Sequence, residues 1–316
     1  MAMTGTARVA RLLRQVPMSL AQTERLLAMW RGEVNLHRDY KQLETELDAV
    51  ELEAAQTLIP ALIVARDSML GVIKREFFGK GKRPEWIDEM RRIPKWGAVQ
   101  DGVGEMLRTP FEKGRRDLRF MIPSPALKQM QSPALGIPPE ALRLLKANTL
   151  QVSGVTRDDL LKRARNIMLT ALRNGEAEEE TMRKLFEAWV PYLGDGVDID
   201  TMSRLRTIIR TNTTGAYNQG IVVETRAPDV AKGVAALVYI AVLDQVTTPI
   251  CTLLHGLAVI PEEERLDVIT PPNHFNCRSV LEPIVNFDEV KDLEFLTTAT
   301  YNKAVGLIQS GFGGEA

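Results

Sequence analysis

The chain reads as a mainly α protein: long N-terminal helices and a helical domain, followed by a small α+β unit with a short β-sheet. Three observations predict this. Alanine, leucine, arginine and glutamate are frequent while aromatics are only 6% of the 316 residues, a composition that suits helices. Up to about residue 225, apolar residues return at spacings of three and four over several long stretches, the rhythm of packed helices. After that point, residues 235–243 form one continuous apolar run between Gly233 and Asp244, as a buried strand would.

Charge is balanced, with 40 Lys and Arg against 41 Asp and Glu and a net charge of −1. No global field therefore favours or excludes nucleic acid. The 2 cysteines fit a reducing cytoplasm. Residues 1–17 carry Arg8, Arg11 and Arg14 but no apolar core of signal-peptide length, so no secretion signal is expected. The apolar run 58–65 contains Pro60 and falls far short of the roughly 20 residues of a membrane span. It reads as part of a buried helix, and no membrane contact is expected. The length allows two or three units. The expected division is a helical region with a long amphipathic helix (1–121), a linker punctuated by Pro123, Pro125, Pro133, Pro138 and Pro139 (122–139), a domain of helices followed by the α+β unit (140–283), and a tail (284–316).

Taken in order, residues 19–30 predict a helix capped by Ser19. Leu36, Tyr40, Leu43, Leu47, Val50 and Ala54 then alternate by four and three, the seam of a long bundle or coiled-coil helix. Glu44, Glu46, Asp48, Glu51 and Glu53 read as its solvated face, His37 as an ordinary histidine, and Pro60 as a kink or interruption. From residue 71 to 120 basic residues outnumber acidic ones. Lys74, Arg75, Lys80, Lys82 and Arg83 form one cluster and Lys113, Arg115, Arg116 and Arg119 a second, with Phe77, Phe78, Trp86 and Trp96 between. Such interleaving is more often the mixed face of a helical domain; contact with a phosphate backbone and contact with an acidic protein partner are the other readings. Three helices follow. Thr156 and Asp159 resemble a capping box for the first, which Gly175 ends. The acidic residues 176–180 open the second, with Met182, Leu185, Phe186, Trp189 and Val190 as its stripe, before Pro191 and the turn at 194–196. Asp198 or Asp200 caps the third, which runs to about Thr225. Beyond the strand, 248–254 reads as a turn or short helix, 277–281 as a partner strand, and 297–308 as helix before a glycine-rich end.

Both cysteines and two of the 3 histidines fall close together. Cys251 and His255 stand as C-x3-H, and His274 and Cys277 as H-x2-C after the Pro271-Pro272 pair. Four nitrogen and sulfur donors suit a tetrahedral zinc ion, and a site with all four ligating is closed and structural. A hydrogen-bonded knot without metal and a Cys251–Cys277 disulfide are the other two readings. Arg210, inside an apolar helix, and Arg278, beside Cys277, lead us to expect that at least one pairs with Asp244.

Residues 137–283 resemble the phage head morphogenesis family, the Mu F-like minor head proteins. The resemblance rests on Arg210-Thr211, on Ala216-Tyr217-Asn218-Gln219-Gly220, on Asp244 and Thr247, on Cys251-x-x-Leu254-x-Gly256, and on Pro271-Pro272-x-His274-x-Asn276-Cys277-Arg278. The chain departs from the family pattern at Asn212, Val246 and Ser279. The resemblance implies a virion component made in the host cytoplasm and placed inside the capsid near the portal. Its partners would be the portal protein, other capsid proteins and packaged DNA, its role head assembly or DNA delivery, and it would have no enzyme activity. Two alternatives come from the residues themselves. One is a metal-dependent hydrolase or nuclease with His274, Asn276 and Asp244 around one ion and a base among Glu262, Glu263 and Glu264. The other is a DNA-binding accessory protein using the basic segment 74–119. The Gly79-Lys80-Gly81-Lys82 stretch lacks P-loop spacing, and no G-x-S-x-G elbow occurs.

Overall fold

The computed structural model describes residues 40–79, 87, 93–122, 139–190, 203–285, 287–310 and 312. The expected helix at 19–30, His37, Lys80, Lys82, Arg83, Trp86, the proline-rich residues 123–138, the turn at 194–196, and Asp198 and Asp200 lie outside them. The described chain is mostly helical, with one four-stranded sheet. It forms two compact units. One takes in the described parts of Met1–Val50, Thr109–Leu145 and Thr211–Ala316, the other those of Glu51–Arg108 and Lys146–Arg210.

The second unit is helical. Helix α1 (Tyr40–Val72) continues into a π-turn at Ile73–Phe78. Ala54, Leu58, Leu62, Ala65, Met69, Ile73 and Phe77 are buried along it, a stripe at spacings of four and three that faces a core. The helix runs through Pro60 without interruption. Proline forfeits one backbone hydrogen bond, and the buried stripe on both sides of it, Leu58 and Leu62, holds the helix regardless. Glu51 departs from the expected solvated face. It is buried, and Arg210 donates to both of its carboxylate oxygens, from Nε at 2.8 Å and Nη2 at 2.9 Å. By length and composition alone, Asp48–Phe78 is long and apolar enough to cross a membrane. Its buried stripe and its bidentate arginine pair are also what a helix packed within a protein shows.

Helix α2 spans Trp96–Met121, and α3 spans Pro139–Asn174. Thr156 and Asp159 therefore lie inside α3 and do not cap its start. The described helix already runs from Pro139, seventeen residues upstream of Thr156. Leu160, Leu161, Ala164, Met168 and Ala171 are buried, and Gly175, at φ +63°, closes the helix. Helix α4 (Glu178–Glu187) opens with three glutamates, which complement the positive helix end. Leu185 and Trp189 are buried, whereas Phe186 is exposed and lies under the Arg66 guanidinium, 4.8 Å from its centroid.

The first unit holds the sheet. Helix α5 (Ser203–Thr225) is buried almost without interruption from Thr211 to Asn218. Strand β1 (Ala236–Ile240) lies centrally, followed by α6 (Pro249–Leu254), β2 (Leu257–Val259), α7 (Arg265–Ile269), β3 (Val280–Ile284), β4 (Glu294–Phe295) and α8 (Thr298–Val305). The strand order is β3-β1-β2-β4, antiparallel around β1 and parallel between β2 and β4. All five β1 residues are buried, which is why the stretch reads as a continuous apolar run. The partner strand starts at Val280, later than the expected 277. The carbonyls of Cys277 and Ser279 are already taken by α5: the Thr214 hydroxyl donates to the first and Asn218 Nδ2 to the second.

Within this unit α2 and α5 cross with almost no side chain between them. A Cβ at Gly114 would meet the Tyr217 carbonyl oxygen at 2.1 Å, and one at Gly220 the Phe111 carbonyl oxygen at 2.2 Å. Three members of the second basic cluster, Lys113, Arg115 and Arg119, are engaged in ion pairs here, while Arg116 is exposed. Arg115 donates to Glu224 at 2.6 Å, Arg119 pairs with Glu224 and Asp229, and Lys113 reaches Glu46 and Asp117. Arg115, Arg119 and Glu224 are buried.

Candidate metal centre

Three elements bring the centre together. Helix α6 starts on Pro249, whose missing N–H is no loss at a first helical turn, and carries Cys251 inward. Strand β1 supplies Tyr239. The loop after α7 passes through the cis Pro271–Pro272 bond and presents His274 and Cys277. Gly215 on α5 makes room for that loop, since a Cβ there would sit 3.0 Å from Pro272 Cδ.

Cys251 Sγ lies 3.0 Å from His274 Nε2 and 3.9 Å from Cys277 Sγ. Both cysteines are free and buried, and their separation is well beyond the ~2 Å of a disulfide bond. Ser279 Oγ donates to Cys251 Sγ at 3.2 Å, and Tyr239 Oη is 3.4 Å from the same sulfur. Asn273 Nδ2 donates to Tyr239 Oη and to the Ile269 carbonyl. His274 Nδ1 is 2.7 Å from the Phe275 carbonyl. A carbonyl only accepts, so Nδ1 carries the proton and Nε2 faces the sulfur.

The electrostatics split the two thiols. The Cys277 thiol directed at Cys251 outweighs burial, and with His274 and Ser279 it holds Cys251 well below the ordinary thiol range. Burial, then the neighbouring Cys251, pushes Cys277 well above it. Burial also raises the Tyr239 phenol, reinforced by the two cysteines. Burial pulls the His274 imidazole down, but Cys251 beside it outweighs that and raises it.

Among the described residues the group with metal-ligand geometry is Cys251, His274 and Cys277, whose donor atoms all lie within 4.8 Å of one another. His255 is not part of it, contrary to the four-ligand expectation. It caps α6 and accepts the Ala241 N–H on Nδ1 at 3.0 Å, so that nitrogen is committed to the end of β1. Gly256 follows at φ +80° and donates to the Tyr239 carbonyl, a conformation that a side chain would strain.

Asp244 stands apart from the sulfur group. Its carboxylate takes Arg278 Nη2 and the Val246 N–H, while its own N–H donates to Thr247 Oγ1. The Thr247 hydroxyl closes the turn on the Val242 carbonyl at 2.6 Å. Asn276, at φ +59°, donates its N–H to Thr211 Oγ1. Asp244 is thus engaged by Arg278 and does not join Cys251, His274 and Cys277 in their group. Arg210 pairs with Glu51 in the helical unit, not with Asp244. Lys74 and Arg75 are exposed on the π-turn, near Glu178 and Glu76.

Four residues that shape this region carry no weight in the ligand pattern: Thr214, Asn218, Tyr239 and Ser279. Thr211, Thr214 and Asn218 recur by three and four along α5. That is one helix face, and it binds residues 276–281 through side chains. For Thr214 and Asn218, the recurrence of small polar residues by three and four along α5 is the signal that finds them.

No curated protein and no solved structure matches the chain. The model of the family described as phage Mu protein F like protein matches residues 162–282. The match starts within α3 and ends within β3, so it contains α5, the sulfur–imidazole group and the Asp244–Arg278 pair. Over residues 162–282 the chain is thus similar to the phage Mu protein F like family.

Proposed function

We propose that this chain is a minor head protein of a bacteriophage, a structural virion component that acts in head morphogenesis from inside the capsid, beside the portal. The observation that carries this reading is the family match over residues 162–282. The architecture supports it. Thr211 and Asn218 on α5 hold the backbone of Asn276 and Ser279, and Arg278 ties the same loop to Asp244, which is a scaffold's use of polar residues. The long helix α1 keeps Leu52, Ile63 and Val64 exposed, apolar surface available to the portal protein and other capsid proteins.

The test is made in the phage that encodes the chain. An amber mutation in its gene should yield misassembled heads or particles that fail to deliver DNA. Mass spectrometry of purified wild-type virions should find the polypeptide, cross-linked to portal protein. Normal virions that lack the polypeptide would overturn the proposal.

A further inference from the structure

We propose that Cys251 Sγ, Cys277 Sγ and His274 Nε2 bind one zinc ion, with water in the fourth position, and that the ion ties α6 to the loop docked on α5. The inference does not rest on the head-protein reading.

The distances fit. Tetrahedral zinc with Zn–S of about 2.3 Å places two sulfurs about 3.8 Å apart, and Cys251 and Cys277 stand at 3.9 Å. With Zn–N of about 2.0–2.1 Å, sulfur and nitrogen should be about 3.6 Å apart. Cys251 and His274 are at 3.0 Å, so the ring moves outward by roughly half an ångström on loading. His274 is only partly buried, which leaves it room to do so.

The surroundings are those of a ligand set. Ligating histidines donate their second ring nitrogen to a carbonyl or carboxylate, which fixes the tautomer, and His274 does this to Phe275. The Ser279 hydroxyl donates to Cys251 Sγ, as an outer partner of a thiolate does. Two thiolates and an imidazole are soft to borderline donors that select zinc over magnesium or calcium. His255 is withheld, because its Nδ1 accepts the Ala241 N–H.

The mechanical consequence follows from the fold. Cys251 sits on α6, while His274 and Cys277 flank the turn that delivers Asn276 to Thr211 and Cys277 to Thr214. One ion would thus fasten the helix after β1 to the segment that becomes β3.

The experiment uses the full chain, purified without a histidine tag or chelator. Elemental mass spectrometry should find one zinc per chain. Replacement by cobalt(II) should give thiolate-to-cobalt charge-transfer absorption with the intense visible bands of tetrahedral coordination. His255→Gln should keep the zinc. Cys277→Ser should weaken it by more than about 100-fold in competition with a chromophoric chelator, beyond what loss of a supporting partner costs. Wild-type protein that retains no zinc and gives no cobalt–thiolate absorption would overturn the proposal and leave an imidazole–thiolate hydrogen-bonded knot. Loss of zinc from a folded His255→Gln variant would overturn this ligand set. The wild-type measurements depend on no variant folding, and neither touches the outcome in virions.

Discussion

Asn218 shows what a single buried amide does here. It is fully buried on α5, and its Nδ2 donates to the Thr214 and Ser279 carbonyls while its Oδ1 accepts the Leu281 N–H at 2.7 Å. The side chain thereby meets the backbone at the start of β3. Asn218→Ala would strand a buried N–H and a buried carbonyl, so we expect a loss of about 2–4 kcal/mol, read from chemical unfolding. Asp244 gives a second prediction, one that depends on pH. Burial works to raise its carboxyl, but Arg278, the Val246 N–H and Thr247 outweigh it and hold it below the usual carboxylate range. A carboxyl depressed in the folded state adds stability above its unfolded pKa of about 4 and loses it as pH falls through the lower folded value. Asp244→Asn should therefore destabilise the protein at neutral pH, and the difference from wild type should shrink as pH drops below about 4. A difference that does not change with pH would show that the pair contributes nothing. Both acidic and basic members of this pair could be read from the sequence because they sit beside the cysteine motifs. That Arg210 turns instead to Glu51 could not, since the two are 159 residues apart and no local spacing links them.

At the scale of elements, the crossing of α2 and α5 is the tightest fit in the first unit. Gly114→Ala or Gly220→Ala would place a methyl about 2 Å from a backbone oxygen, and neither helix has a side chain that can yield. Each should destabilise by about 3 kcal/mol, the upper range of overpacking. Gly104, also on α2, has nothing within 4 Å of a Cβ. Gly104→Ala should stabilise by about 0.5–1 kcal/mol through helix propensity. Thermal melts of the three variants would separate the crossing from a general dislike of substitution in α2. The helices themselves were legible because an apolar stripe at spacing three and four is a local signal: α4, α5 and β1 fall close to where the sequence places them. The early part of α3 was not, because the proline cluster and Thr156 read as a break and a cap, whereas the structure is already helical from Pro139. Likewise the onset of β3 depends on which carbonyls α5 takes, a tertiary fact. Of the four clustered cysteines and histidines, Cys251, His274 and Cys277 come together in space. That His255 does not join them was not legible, because C-x3-H spacing on a short helix says nothing of whether Nδ1 is already occupied.

At the scale of the whole molecule, the segment with a family resemblance and the segment that can fold are different things. Residues 162–282 match the family, but the unit that holds the sheet also draws on residues before and after them. Helix α2 supplies Arg115 and Arg119 to the buried Glu224, Asp117 to the Tyr217 hydroxyl, and Leu118 to the core. Residues after 283 supply Ile284, Leu296 and Ala304 to the same core and β4 to the edge of β2. A fragment of residues 140–283 keeps every motif residue and loses all of these partners. Glu224, buried and left without either arginine, would alone cost about 3–5 kcal/mol, a large share of the ~5–15 kcal/mol that holds a domain together. We therefore expect this fragment to lack a cooperative thermal transition and the near-ultraviolet dichroism of the full chain, and Glu224→Ala to weaken the intact protein by that same amount. A fragment that melts cooperatively would mean that Glu224 reaches solvent once α2 is gone. Adding a synthetic peptide of residues 93–122 should then leave its melting unchanged, whereas on the present reading the peptide should restore the transition by returning the two arginines to their carboxylate.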